Sequence, residues 1–262
     1  QKDSIGKIYT ITRTLDQHMP DEVMFYAVEM LMKLMQTKDV ALYNVVNQDY
    51  ARIFSASSAK ARSLGNSIRY REMTDIYEEL AEEKIYINKN MDPRYPLMAC
   101  ALCENGEIKM IIMLWGLSWE KMTLGQANFL TVISYLIQNA VLRAQRYMQA
   151  LEEKRYSEEG SRILREDAFK PLVKAYMDAE AKNLVECVLL KIDADPGQYS
   201  QVDRSMSKKL RDSDYLGFLS DGRLYVLLTN TTKETVGFVQ ERFQQNGYST
   251  EIVEKMEVCP VE

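Results

Sequence analysis

Two dipeptides constrain this chain more than any other feature. Asn105-Gly106 lies in "LMACALCENGEIKMIIMLW", and Asp221-Gly222 lies in "YLGFLSDGRLYVLLTN", each between apolar runs of strand composition. Asn-Gly is the pair preferred by a type I′ turn, because both central residues need positive φ. The spacing predicts two β-hairpins: Leu97–Cys103 with Glu107–Trp115, and Tyr215–Leu219 with Arg223–Asn230. A hairpin in each half, with helical periodicity between them, predicts two modules, each with its own sheet.

In the first half, a short amphipathic stretch runs from Ile5 to Leu15, and "MPDE" opens a helix. Pro20, Asp21 and Glu22 suit a first turn, where the missing N–H costs nothing and acidic charge meets the positive helix end. Val23, Ala27, Met30 and Leu34 then repeat at helical spacing. "DVALYNVV" and "YARIFSAS" read as strands, "DIYEELAEE" as a helix and "KIYIN" as a short strand. In the second half, "EDAFKPLVKAYMDA" reads as a helix that Pro171 must open or kink. "VECVLLKIDAD" suits a strand buried on both faces. "QVDRSMSKKLRDSD" reads as a polar helix, and a helix from Thr231 or Thr232 to Gly247 precedes the strand "YSTEIVEKM". The order αβαββαβ implies a mixed sheet flanked by helices.

Between the halves a long helix is expected from Thr123 to Glu159. Leu130, Ile133, Ile137, Ala140, Ala144, Tyr147 and Leu151 step by three and four, a heptad seam of about three repeats. Such a seam packs on the chain's own sheet, against a second copy in a parallel homodimer, or on both, with its first part on the sheet and the charged end "EEKRYSEE" projecting into a linker. The fold class expected is therefore mixed α+β and α/β, with two domains joined by a long helix. Each domain has a central mixed or antiparallel sheet flanked by helices. The boundaries are an N-terminal helix or stalk over 1–19, a first domain over 20–145, a helical linker over 146–160 and a second domain over 161–262.

Several chemistries are excluded. His18 is the single histidine in 262 residues, which removes histidine triads and two-histidine metal sites. Four cysteines show no framework spacing; Cys100 and Cys103 lie on one strand, where residues three apart face opposite sides. A net charge of −5 provides no basic field for long nucleic acid. No P-loop, GxGxxG or metal-ligand cluster occurs, so neither a metal nor a cofactor is expected. No apolar run reaches the roughly 18 residues that span a bilayer. The chain begins at Gln1, and the expectation is a soluble fragment. The methionine-rich runs, Trp115 and Trp119 are read as packing residues.

The first module resembles a GAF domain in element order and hydrophobic pattern. The second resembles a GGDEF domain, the fold of diguanylate cyclases. "LLKIDAD" is similar to that family's metal-binding strand, with Asp193 at the first metal carboxylate, and "SDGRL" falls at its signature hairpin. "LRDSD" sits where the family often carries an inhibitory RxxD site for cyclic di-GMP. The departures matter most. Gly222 and Arg223 replace the acidic pair that holds two divalent cations, so a cation there would meet a fixed positive charge. The family's asparagine/aspartate and glycine-rich helix, which helps hold the guanine and phosphates of GTP, also has no counterpart in "PGQYSQVDRSMSKK".

The resemblance thus implies a binding protein without catalytic residues. Arg211 and Asp214 form the RxxD pair. Arginine presents a planar fork suited to guanine O6 and N7, and a carboxylate can accept from the N1–H and N2 edge. Family inhibitory sites take a further arginine from the helix after the hairpin, and Arg242 fits that placement. GAF followed by a degenerate GGDEF with RxxD resembles the PelD family of cyclic di-GMP receptors in exopolysaccharide secretion. Its members carry transmembrane helices ahead of the GAF module and use an arginine near its start, for which Arg13 is the candidate and Lys7 the weaker option. That resemblance implies a cytoplasmic domain of a membrane-anchored protein, with cyclic di-GMP and the polysaccharide synthase complex as partners. The alternatives are a dimeric scaffold that binds no nucleotide, and a residual cyclase.

Overall fold

The structure is a computed structural model that describes residues 2–260, with side chains from residue 6 onward. Residues 1, 261 and 262, which close the expected first and last domains, and the side chain of Ile5, lie outside that description. The chain divides into two compact units, Gln1–Tyr147 and Met148–Glu262. Among the described residues, no helix is long and apolar enough to cross a membrane.

The first unit contains helices α1 (Lys2–Thr14) and α2 (Pro20–Leu34), strands β1 (Val40–Val45), β2 (Ala51–Ala56) and β3 (Ser67–Ile68), helix α3 (Thr74–Ala81), strands β4 (Tyr86–Ile87), β5 (Met98–Glu104) and β6 (Glu107–Leu114), and helix α4 (Leu124–Ala150). The six strands form one antiparallel sheet in the order β3-β2-β1-β6-β5-β4. Asn105 and Gly106 both have positive φ, as the turn chemistry requires. Alternation along the strands divides two cores. Tyr43, Ile111, Met113 and Trp115 cluster with Ile76 and Leu80 of α3 on one face. The opposite face takes the helices: Phe25 of α2 meets Phe54 of β2 at a ring separation of 4.7 Å. Gln138 Nε2 of α4 donates to the Cys103 carbonyl.

The heptad seam therefore packs on the chain's own sheet. Leu130, Ile133, Ile137, Ala140 and Ala144 are buried within the unit. Tyr147 is 44% exposed and stacks on the exposed His18 at 4.6 Å. The helix also ends earlier than its periodicity suggests. Leu151 closes a turn on the Met148 carbonyl, and Glu152–Arg155 makes one further turn, α5. The charged run that follows has no apolar stripe to pack, and the chain becomes extended at Tyr156, which bridges Leu164. Trp115 is buried as expected, whereas Trp119, read from sequence as a packing residue, is 70% exposed. It sits on a short 3-10 turn after β6, outside the alternation that buries Trp115.

After α5 the second unit continues with β7 (Ile163–Leu164), α6 (Glu166–Ala181), β8 (Cys187–Asp193), α7 (Tyr199–Met206), β9 (Tyr215–Phe218), β10 (Leu224–Thr229), α8 (Gly237–Gln245), β11 (Ser249–Val253) and α9 (Lys255–Val258). Its sheet runs β11-β8-β10-β9-β7, antiparallel except for the parallel β7–β9 pair. From β8 to β11 this is a βαββαβ unit with the split order 4-1-3-2. Helix α6 covers one face: Phe169 lies against Gly217, where an added Cβ would come within 2.2 Å of its ring. Helices α7 and α8 cover the other, with Val202, Met206, Val239 and Phe243 in one core with Leu190, Val226 and Leu228.

Two helix boundaries in the second unit also differ from the sequence reading, and one of them shapes the site. The polar helix expected through Asp214 stops at Met206, and residues 207–214 lie outside any helix or strand. Leu210 is drawn into the core beside Phe243, and the Leu210 amide closes on the Met206 carbonyl. Helix α8 starts at Gly237, because Thr232 and Thr235 exchange side-chain-to-amide bonds and hold a separate turn ahead of it. It ends as expected before Gly247, which has positive φ.

Candidate ligand site

The turn between α7 and β9 carries Arg211 and Asp214, and the end of β10 lies beside it. The Asp214 amide donates to the Arg211 carbonyl at 3.1 Å, closing the turn. The Asp214 side chain then points inward and is 2% exposed. Its Oδ1 accepts the Thr229 amide at 3.1 Å, and its Oδ2 accepts the Arg211 amide at 3.2 Å. Burial pushes this carboxyl above the usual range, a change opposed by Arg211, the two amides and Arg162. Asp214 thus ties the turn to the last residue of β10, a tie strengthened by Thr229 Oγ1 donating to the Ser213 carbonyl.

Arg211 is held quite differently. Its guanidinium is 36% exposed and lies 3.9 Å from Asp214 Oδ2. Its other contacts are to the Thr229 carbonyl and Thr231 Oγ1, each at 3.5 Å. These lie at the outer limit for hydrogen bonding. A guanidinium has five N–H donors in a fixed fork, so this one keeps donor capacity for an acceptor-rich ligand. The structure therefore brings Arg211 and Asp214 together, but the carboxylate faces the protein and the arginine faces partly outward.

Arg242 lies on α8 and donates to the Lys209 carbonyl at 3.3 Å, two residues before Arg211. Lys209 Nζ in turn donates to Asn246 Oδ1. The three second-unit residues thus border one turn. Arg13 and Lys7 lie exposed on α1 in the first unit.

Arg162 was not singled out by sequence reasoning. Its guanidinium donates to the carbonyls of Ser207 at 2.6 Å, Arg211 at 2.9 Å and Asp214 at 3.1 Å. Its own amide donates to Asp203 Oδ2 at 3.1 Å, and Ser207 Oγ donates to Asp203 Oδ1 at 2.8 Å. "GSRILRED" carries no local motif, so nothing in its neighbourhood marks Arg162 for this role. Thr229 and Thr231, both buried, were missed for the same reason.

The β9–β10 hairpin ends in a tight turn with Gly222 at positive φ. Asp221 Oδ1 accepts the Arg223 amide at 3.0 Å, and Oδ2 accepts the Tyr225 hydroxyl at 2.7 Å with Lys191 Nζ 3.8 Å away. Asp193 ends β8 with its side chain exposed. Among the described residues, no group of three or more histidine, cysteine, aspartate or glutamate side chains is placed to hold a metal ion. A groove of about 860 Å³ runs from the start of α6 to this hairpin tip, lined by Arg165, Lys170 and Phe218 among others. It includes none of Arg211, Asp214 or Arg242. Burial pushes the thiols of Cys100 and Cys187 up to about 12.

No protein-family model and no curated protein matches the chain. Among solved structures it is similar to PelD from Pseudomonas aeruginosa PAO1 in complex with c-di-GMP, at 13% identity and a TM-score of 0.42, covering 95% of this chain and 89% of that one. PelD from Pseudomonas aeruginosa PA14, also in complex with c-di-GMP, is similar at 12% identity and a TM-score of 0.41 over 95% of this chain and 88% of that one. The GAF domain of an Acinetobacter phosphoenolpyruvate-protein phosphotransferase is similar at 8% identity and a TM-score of 0.44, over 55% of this chain and 96% of that one.

Proposed function

We propose that this protein is a cyclic di-GMP receptor that binds the dinucleotide at the turn carrying Arg211 and Asp214, without turning it over. The observation that carries the proposal is the contrast within that pair. A buried carboxylate fixes the turn, and the guanidinium beside it is partly exposed and bound only at 3.5 Å and beyond. In this reading Arg211 offers its fork to guanine O6 and N7, a pairing worth about 1–3 kcal/mol in discrimination. Arg242, on the adjoining helix, supplies charge against a phosphate. Acceptance of the guanine N1–H and N2 edge by Asp214 requires the turn to open, which gives the site two states. Arg13 is proposed as a further contact to the ligand.

No catalytic residue, metal or cofactor enters this proposal. The hairpin tip offers Gly222 and Arg223 where a cyclase needs carboxylates, and Asp221 is engaged by Tyr225 and Arg223. Binding biases the protein only by the ligand's differential affinity for the two states of the turn. The readout we propose is regulation of exopolysaccharide synthesis and export through subunits of that machinery at the cytoplasmic membrane.

Calorimetric titration of the whole chain with cyclic di-GMP tests the proposal, and saturable heat is expected. The absence of heat would contradict it and favour a scaffold without nucleotide. Incubation with GTP and Mg²⁺ is expected to yield neither cyclic di-GMP nor pyrophosphate. Either product would replace a receptor by an enzyme.

A further inference from the structure

We propose that Arg162 is a positioning residue that couples occupancy of the Arg211–Asp214 turn to the segment 155–165, which follows α4 and α5. The inference rests on the receptor reading for the ligand's identity and on this structure for the coupling. A turn outside any helix leaves carbonyls that need donors. Three of them, on Ser207, Arg211 and Asp214, converge on one guanidinium at 2.6–3.1 Å. These bonds are shorter than every side-chain contact of Arg211. The fork is planar and rigid, so a shift in any one carbonyl is felt by the others and by Arg162 itself.

Arg162 is also fixed from behind. Its amide is bound to Asp203, and the next two residues form β7, paired in parallel with β9. Strand β7 is continuous with a small return: the Ser157 amide donates to the Ile163 carbonyl and the Arg165 amide to the Arg155 carbonyl, each at 2.8 Å. Tyr156 bridges Leu164 between them. The guanidinium thus joins the candidate ligand turn to a hydrogen-bonded ladder that begins five residues after α4 ends. Opening the turn to admit a guanine edge at Asp214 moves carbonyls that Arg162 holds, and the movement enters the ladder at β7.

Hydrogen–deuterium exchange on the whole chain, with and without cyclic di-GMP, tests this in the unmodified protein and in Arg162→Lys. Lysine keeps the charge but cannot span three carbonyls. In the unmodified protein the ligand is expected to change exchange both at the Asp214 amide and at the Ser157 and Arg165 amides. In Arg162→Lys the Asp214 response is expected to persist and the Ser157 and Arg165 response to vanish. A ladder response as large in Arg162→Lys as in the unmodified protein would overturn the coupling, as would a turn response in the unmodified protein with a silent ladder.

If cyclic di-GMP does not bind the unmodified protein, the receptor reading falls and the ligand-free comparison decides the coupling alone. Arg162→Lys is then expected to speed exchange at least tenfold at Asp214, Ser157 and Arg165 together, with β8 and β10 unchanged. Acceleration confined to the turn, or spread through β8 and β10 as a general loss of stability, would contradict it.

Discussion

The β9–β10 hairpin has an aspartate at each end, and the two ends use their charges in opposite ways. At the closed end, Asp221 makes only local bonds, to the Arg223 amide and the Tyr225 hydroxyl, with Lys191 at 3.8 Å from the neighbouring strand. At the open end, Asp214 is buried and joins segments fifteen residues apart through the Thr229 amide. Its arginine partner remains partly exposed with long contacts. The comparison teaches that where a carboxylate finds its partners decides how much of the neighbouring cation is left free. At the open end it fixes the turn from inside and leaves the cation available. At the closed end the carboxylate is occupied by its own turn.

The largest expected effect that could break this comparison is on stability. Asp214→Ala leaves one buried and one part-buried amide without their acceptor, at about 1–3 kcal/mol each, so a loss of about 3 kcal/mol is expected in urea unfolding. Asp221→Ala removes an exposed carboxylate and is expected to cost less than about 1 kcal/mol. Equal losses at the two ends would erase the distinction.

A second effect is pH dependence. Burial raises the folded-state pKa of Asp214 above its unfolded value of about 3.9. Its protonated form is therefore favoured by the fold. That contribution is fully present below about pH 4 and is lost as pH rises through the raised folded value. The unmodified protein should lose stability relative to Asp214→Asn as pH increases across that window. The opposite slope would mean that Arg211 and the two amides outweigh burial.

What could be read from the sequence divides along the same line between local and distant partners. Both hairpins were legible because Asn105-Gly106 and Asp221-Gly222 specify their turns through their own backbone preferences. The α4 seam was legible as an apolar stripe, but periodicity cannot say whether the stripe meets a sheet or a second copy. The end of α4 was not legible, since the extended chain after it is held by Ile163 and Leu164. For the site, RxxD marked the turn, yet its spacing equally fits a helical pair, and the stop of α7 at Met206 depends on Leu210 entering the core. Arg162 was invisible because the carbonyls it binds lie 45, 49 and 52 residues away.

The most direct measurement is a matched pair of calorimetric titrations with cyclic di-GMP, on Arg211→Ala and on Arg223→Ala. The first removes the arginine at the open end and the second the arginine at the closed end. A hairpin that binds through its open end predicts at least a tenfold loss of affinity for Arg211→Ala, about 1.4 kcal/mol, and unchanged affinity for Arg223→Ala. Affinity unchanged in Arg211→Ala, or lost to the same degree in both, would contradict the account.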